Sequence, residues 1–253
     1  MKKYELTNET KTLVGGTVLH RIRALRAITR FGVKAGELGG FVEGEINLSQ
    51  DGDAWVFGNA CVSDNAKVSG DAKVYGSAEV SDNAWVYGNA CVFGNAWVSG
   101  NACVSANACV SDNAWVSGNA CVYGDAEVFD NAKVSDNACV SDNAWVYGDA
   151  WVSDNAGVFG NAKVSGNAEV SGDAKVSGDA DYMVIKNIWS SGRWFTYTRS
   201  NKKWAVGCFY GTGEELIKKA YADSELSGRC YEAIVRSVET IEAAKAEAIG
   251  GAE

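Results

Sequence analysis

Ala54-Trp55-Val56-Phe57-Gly58-Asn59-Ala60-Cys61-Val62-Ser63-Asp64-Asn65-Ala66-Lys67-Val68-Ser69-Gly70-Asp71 writes one unit, Ala-x-Val-x-[Gly/Asp]-[Asn/Asp], three times in 18 residues. Ala recurs at every sixth position from Ala54 to Ala180, and Val stands two residues after each Ala from Val56 to Val176. The register never slips. A fixed short period held over half the chain is the signature of a solenoid. Residues two apart on a short strand point the same way, so Ala and Val face inward and the two x positions face outward. Gly or Asp followed by Asn or Asp supplies a corner where left-handed backbone angles are tolerated. Three sides close one coil of 18, and Ala54 to Asp179 spans 126 residues, enough for 7 coils. Stacked at ~4.8 Å, they predict a rod roughly 34 Å long. Asn65, Asn83, Asn101, Asn119, Asn137 and Asn155 fall 18 apart, so their amides are expected to bond from coil to coil. The chain has no proline, which inside such a ladder would delete a hydrogen bond.

Outside the repeat the chain of 253 residues leaves room for two small caps. Its net charge of -9 is uneven: residues 51–180 hold 17 Asp/Glu against 5 Lys/Arg, residues 1–50 hold 5 against 8, and residues 181–253 hold 10 of each. An acidic rod argues against direct nucleic-acid binding, which needs a basic surface to neutralise phosphates. Mimicry of nucleic acid stays open. No apolar run is long enough to span a bilayer, and the start, Met1-Lys2-Lys3-Tyr4-Glu5-Leu6, lacks the apolar centre of a signal peptide. These features predict a cytoplasmic protein with no membrane partner, its eight cysteines reduced.

A bare solenoid exposes strand edges at both ends and needs caps. Lys11 to Val14 and Thr17 to Ile22 flank Gly15-Gly16, a hairpin turn signal within residues 4–31. Beyond the rod, 182–185, 194–197 and 204–209 read as strands of a small antiparallel sheet. Thr212 is placed as the N-cap of a helix with acids in its first turn. A longer helix is expected from about Tyr231 to Ala248, with Ile234, Val235, Val238 and Ile241 on one face. The domain division is 1–50 for the hairpin cap and first irregular coil, 51–180 for the repeat, and 181–253 for a small α+β domain that caps or tethers.

The repeat resembles the hexapeptide-repeat, left-handed parallel β-helix family, whose pattern sets an aliphatic residue four positions before a small one, as Val56 to Ala60 and Val62 to Ala66 do. The resemblance implies the left-handed sense of the helix. Tyr4, Leu6, Arg21, Arg23, Ala24, Leu25, Val33, Lys34, Gly36, Gly39 and Gly40 are similar to the N-terminal run of phage and prophage β-helix proteins labelled transferases or polymer-forming proteins. The stretch 207–212 looks like a small domain appended to phage repeat proteins.

Many proteins of the hexapeptide type are acyltransferases with a histidine base and an inserted loop. Here His20, the only histidine, lies in the hairpin, and no loop interrupts the coils. Without a positioned base a hydroxyl or amine stays unactivated, so no catalytic residue is assigned. Cys103, Cys121 and Cys139 stack 18 apart, as do Cys91 and Cys109, but a straight ladder does not converge on a zinc tetrahedron. Asp64, Asp82, Asp136 and Asp154 share a corner row interrupted by Gly100 and Gly118, a poor calcium cage. No metal and no cofactor are expected. The candidate interface is the outward face carrying Trp55, Phe57, Tyr75, Phe93, Phe129, Trp145 and Tyr147, because stacked exposed aromatics are costly to wet and dominate interface cores. Duplication followed by drift also yields such a mixture, since Trp/Cys and Ser/Tyr/Phe are single-base neighbours. A second face carries Trp97, Trp115 and Trp151 beside an unbroken Ser row, and a third alternates Ser69, Tyr87, Ser105, Tyr123, Ser141, Phe159 and Ser177. The expected function is a non-enzymatic phage or prophage accessory protein. It would be a homo-oligomeric acidic scaffold that binds a host protein, for example inhibiting a defence or DNA-handling protein. A self-assembling structural scaffold and a degenerate acyltransferase are the alternatives.

Overall fold

A computed structural model describes residues 2–188 and 192–250, with side chains as far as 247. The chain divides into two compact units, Met1–Asp181 and Tyr182–Glu253.

The first unit is a β-solenoid. Its N-terminal strands are β1 (Tyr4–Thr12), β2 (Val18–Ala24) and β3 (Leu38–Val42). Two-residue strands then follow every six residues, from β4 (Trp55–Val56) to β24 (Lys175–Val176). They stack in parallel in three sheets, two of seven strands and one of ten, in which β1, β2 and β3 pair antiparallel at the N-terminal end. With the irregular coil that contains β3, the rod has about eight turns.

Each repeat Ala and Val from Ala54 to Val176 is buried, nearly all of them at 0% exposure, which fills the prism with small side chains only. The backbone bonds run from coil to coil: Cys61 N–H donates to Ala78 O at 2.9 Å and Ser63 N–H to Val80 O at 3.0 Å. Each coil thus satisfies the polar groups of its neighbours, which a narrow core could not otherwise offset. Corners adopt the left-handed region, with φ of 55° at Asp64, 58° at Asp82 and 67° at Gly118. Asp suits the corner for a second reason. Asp82 accepts from Gly100 N–H at 2.9 Å and Asp154 from Gly172 N–H at 2.9 Å, so each carboxylate ties its coil to the next. The Asn ladder forms as expected, from Asn65 through Asn83, Asn101, Asn119 and Asn137 to Asn155, at 2.9–3.2 Å.

At the N-terminal end, side chains stand in for the missing coil. Asn47, buried, donates to Asp64 O at 2.9 Å and to Ala66 O at 3.0 Å. Lys3, also buried, donates from Nζ to Ala54 O at 2.8 Å. Gln50 accepts from Lys3 N–H at 2.7 Å, and the Tyr4 hydroxyl donates to Leu48 O at 2.7 Å. Arg30 reaches Asp71 at 2.7 Å and Asn89 at 2.9 Å, pinning the segment after the hairpin to a corner.

The second unit is a four-stranded antiparallel sheet of β25 (Tyr182–Lys186), β26 (Trp194–Thr198), β27 (Lys203–Val206) and β28 (Phe209–Gly211), followed by α1 (Gly213–Asp223) and α2 (Glu225–Gly250). Phe195, Trp204, Leu216, Val235 and Val238 form its core. Three expectations are corrected here. The stretch 204–209 is two strands, because Gly207 at φ 56° turns the chain. The long helix begins at Glu225 rather than Tyr231, with Gly228 admitting Tyr221 of α1 where a Cβ would lie 2.2 Å from that ring. Ile241 is 47% exposed, and the fully buried part of the apolar face of α2 is Val235 and Val238. Thr212 is the N-cap, in a capping box with Glu215 whose hydrogen bonds hold that carboxyl below the usual range.

Candidate interaction faces of the rod

Every coil places two outward side chains on each of three faces, and the chemistry of each face is set by which residues stack 18 apart. On the first face, Phe57, Tyr75, Phe93, Phe129 and Tyr147 form one column. Tyr75 and Phe93 are parallel at 4.7 Å, and Phe129 and Tyr147 at 5.0 Å. Ser111 interrupts the column and is buried. Stacking shields each ring, so these five residues are half-buried. Trp145 stands at the edge of the same face, 36% exposed, with Lys163 Nζ 4.7 Å from a ring centroid. Phe31 packs edge-on to Phe57 at 6.1 Å, and Lys73 Nζ lies 4.6 Å from the Phe31 ring.

Trp55 does not belong with this group. It is 0% exposed, covered by Tyr4 edge-on at 6.3 Å, because the N-terminal strand crosses the first coil there. Its role is to seal the cap. The outward position at the first coil is an interior position once the hairpin is in place.

The second face carries three exposed indoles. Trp97, Trp115 and Trp151 are 43%, 40% and 46% exposed. The indoles of Trp97 and Trp115 are stacked at 5.2 Å with a 5° tilt. Trp97 donates from Nε1 to Ser81 at 3.3 Å, and Trp151 to Ser135 at 3.0 Å. The Ser row therefore anchors the indole edges and leaves their planes open. The sequence carried a signal for this contrast. Where the neighbouring column holds Ser, as beside Trp97, Trp115 and Trp151, a Trp has no apolar flank; Trp85 on the third face is 49% exposed although Tyr87 lies against one side of it at 4.7 Å.

The third face carries the cysteine column, with Cys103 in register with Cys121 and Cys121 with Cys139. All eight cysteines are free thiols. On the first face burial beside Cys91, Glu127 and Asp112 pushes the Cys109 thiol up to about 12. Burial also raises Cys61, although Lys11 donates from Nζ to its sulfur at 3.1 Å. Raised thiols are poor nucleophiles and poor metal ligands at neutral pH. His20 faces Thr7 O from Nδ1 at 3.3 Å on the hairpin. Among the described residues, no group of three His, Cys, Asp or Glu is placed to hold a metal ion, and no helix is long and apolar enough to cross a membrane.

No curated protein matches the chain. Residues 84–100, nearly one full coil across all three faces, match the family described as YdcK beta solenoid repeat. That match and the stacked parallel sheets agree that the chain is a β-solenoid repeat protein.

Proposed function

We propose that the protein is a non-enzymatic binding scaffold, an acidic rod of the phage or prophage accessory kind that acts in the host cytoplasm, self-associates and binds a host macromolecule. Inhibition of a defence or DNA-handling protein is its most concrete form. One observation carries this reading: the 18-residue register runs from Ala54 to Val176 without an insertion. Acyl transfer on a repeat of this kind calls for a pocket wall and a base aimed into it, and an uninterrupted coil offers flat faces instead. The acid excess of 17 over 5 across residues 51–180 favours a basic protein surface as the counterpart.

The test uses the full chain, tagged, to capture protein from host lysate, beside a Phe93→Ser/Phe129→Ser variant that breaks the half-buried column. The expected result is one retained host protein, lost or weakened with the variant. Retention of nothing by the wild type would sink the binding reading. A rise in melting temperature with acetyl-coenzyme A would overturn the non-enzymatic part and favour the acyltransferase alternative.

A further inference from the structure

The outward column of the second face reads, coil by coil, Glu79, Trp97, Trp115, Lys133, and these residues are in register with one another as neighbours on adjacent strands. Four features of this run point one way. The two central indoles are stacked and exposed. The two flanking charges are opposite, and among the described residues neither pairs with an opposite charge in its own copy. Lys73 and Lys163 on the first face lie over aromatic rings, whereas Lys133, between Trp115 and Trp151, makes no such contact. Finally, the corner beside this face carries Asp64, Asp82, Asp136 and Asp154 but Gly100 and Gly118 in the coils of the stacked indoles, so acid is missing where a second body would approach closest.

We infer that the second face binds a second copy of this chain, with the rods antiparallel about a two-fold axis that passes between Trp97 and Trp115. Such an axis, lying in the interface and perpendicular to the rod, maps the column onto itself reversed. Trp97 then meets Trp115 of the second copy, and Glu79 meets Lys133 of the second copy, twice over by symmetry. Parallel rods in register would instead set Glu79 level with Glu79 and Lys133 level with Lys133. Moving the axis one coil on, between Trp115 and Lys133, would set Glu79 level with Glu169. An axis through Trp151 would also set Lys133 level with Glu169, but around one indole from each copy; the Trp97/Trp115 axis pairs opposite charges on both sides of the stacked, exposed pair.

The same axis sets Trp151 level with Cys61 of the second copy. There Lys11, Leu13, Val14, Cys61, Glu79 and Trp97 line a cavity of about 510 Å³. Val14, fully exposed at the hairpin tip, gains an apolar cover in this arrangement. Asp82 and Asp136 of the two copies approach at the rim. Their carboxylates are each engaged within their own copy, by Gly100 N–H at 2.9 Å and by the Ser135 hydroxyl at 3.0 Å. The open part of the face, five coils from Glu79 to Trp151 and one strand wide with the hairpin tip over Cys61 at its end, buries on the order of 1,000 Å² in total, which belongs to weak, reversible association rather than to an obligate dimer. Central indoles are the residues expected to carry most of that energy.

This inference rests on the self-association part of the proposed function, and charge reversal separates the two. Sedimentation equilibrium of the full chain at up to 100 μM is expected to show a monomer–dimer equilibrium. E79K and K133E, checked by circular dichroism to keep the wild-type spectrum, should each weaken dimerisation at least tenfold. Their equimolar mixture should dimerise again, because each reversed charge meets its opposite across the axis, and so should the E79K/K133E double variant. W115A should abolish the dimer. A wild-type chain that stays monomeric at 100 μM overturns the proposal and the self-association reading together. A wild-type oligomer that neither reversal disturbs overturns only the proposal, since the contact then lies on another face. Weakening by both single variants without recovery in their mixture overturns the antiparallel register.

Discussion

Lys3 shows how one residue closes the end of the rod. Its ammonium bonds Ala54 O, an acceptor that a preceding coil would otherwise serve, and it lies 51 positions away in sequence. Burial, and then repulsion from Arg26, lowers it from 10.5 to about 8. A base whose folded value is depressed binds fewer protons folded than unfolded between those two values, so its contribution to stability rises with pH across that window. Lys3→Met leaves Ala54 O unbonded and lacks this gain, so thermal or urea unfolding from pH 7.5 to 10.5 should show the margin of wild type over Lys3→Met widening as pH rises. A pH-independent difference would remove charge from this account. Cysteine reactivity is a second residue-scale test. Exposed Cys208 should be alkylated first at pH 8, whereas Cys109, held up to about 12, and buried Cys61 should stay unmodified until the fold opens. Mass spectrometry of a time course reads the order.

At the scale of the element, a coil is held by two-residue strands too short to be stable alone. Its stability comes from the buried Ala–Val column and the bonds to both neighbours. Val116→Ala, at a fully buried position, removes two methyl groups from a narrow prism and should cost about 2 kcal/mol, seen as a lower urea midpoint. The hairpin cap and the two helices obey different rules. Gly15-Gly16 marked the turn and both glycines take positive φ, 114° and 93°, and Thr212 marked the start of α1. The start of α2 was not legible, because it follows from α1 ending at Asp223 and Tyr221 needing the space over Gly228. Nor was the exposure of Ile241, since periodicity gives the apolar side of a helix but not which of its turns are covered.

The whole rod behaves as a one-dimensional array in which each coil touches only its neighbours. Removing residues 138–155, one full coil, rejoins Asn137 to Ala156 in phase and should leave a cooperative melt with a modestly lower midpoint. Removing residues 138–140 alone moves every later Ala to an outward position and every later Val to a corner, and should destroy the fold beyond that point, read as lost β signal in circular dichroism. Equal behaviour of the two deletions would refute the coil as the unit of stability. The interior of this protein was determined by the sequence alone, because a six-residue period is a local property and states inside and outside at each position without reference to anything distant. Tertiary structure decided the exterior. Trp55 is interior only because Tyr4 crosses it, and Trp97, Trp115 and Trp151 stay wet because their neighbours 16 residues back are serines that bond an indole edge or leave it bare without covering its plane. Exposure depends on what a chain brings back across itself and on how columns stack, and a repeat that fixes every inward side chain leaves both free.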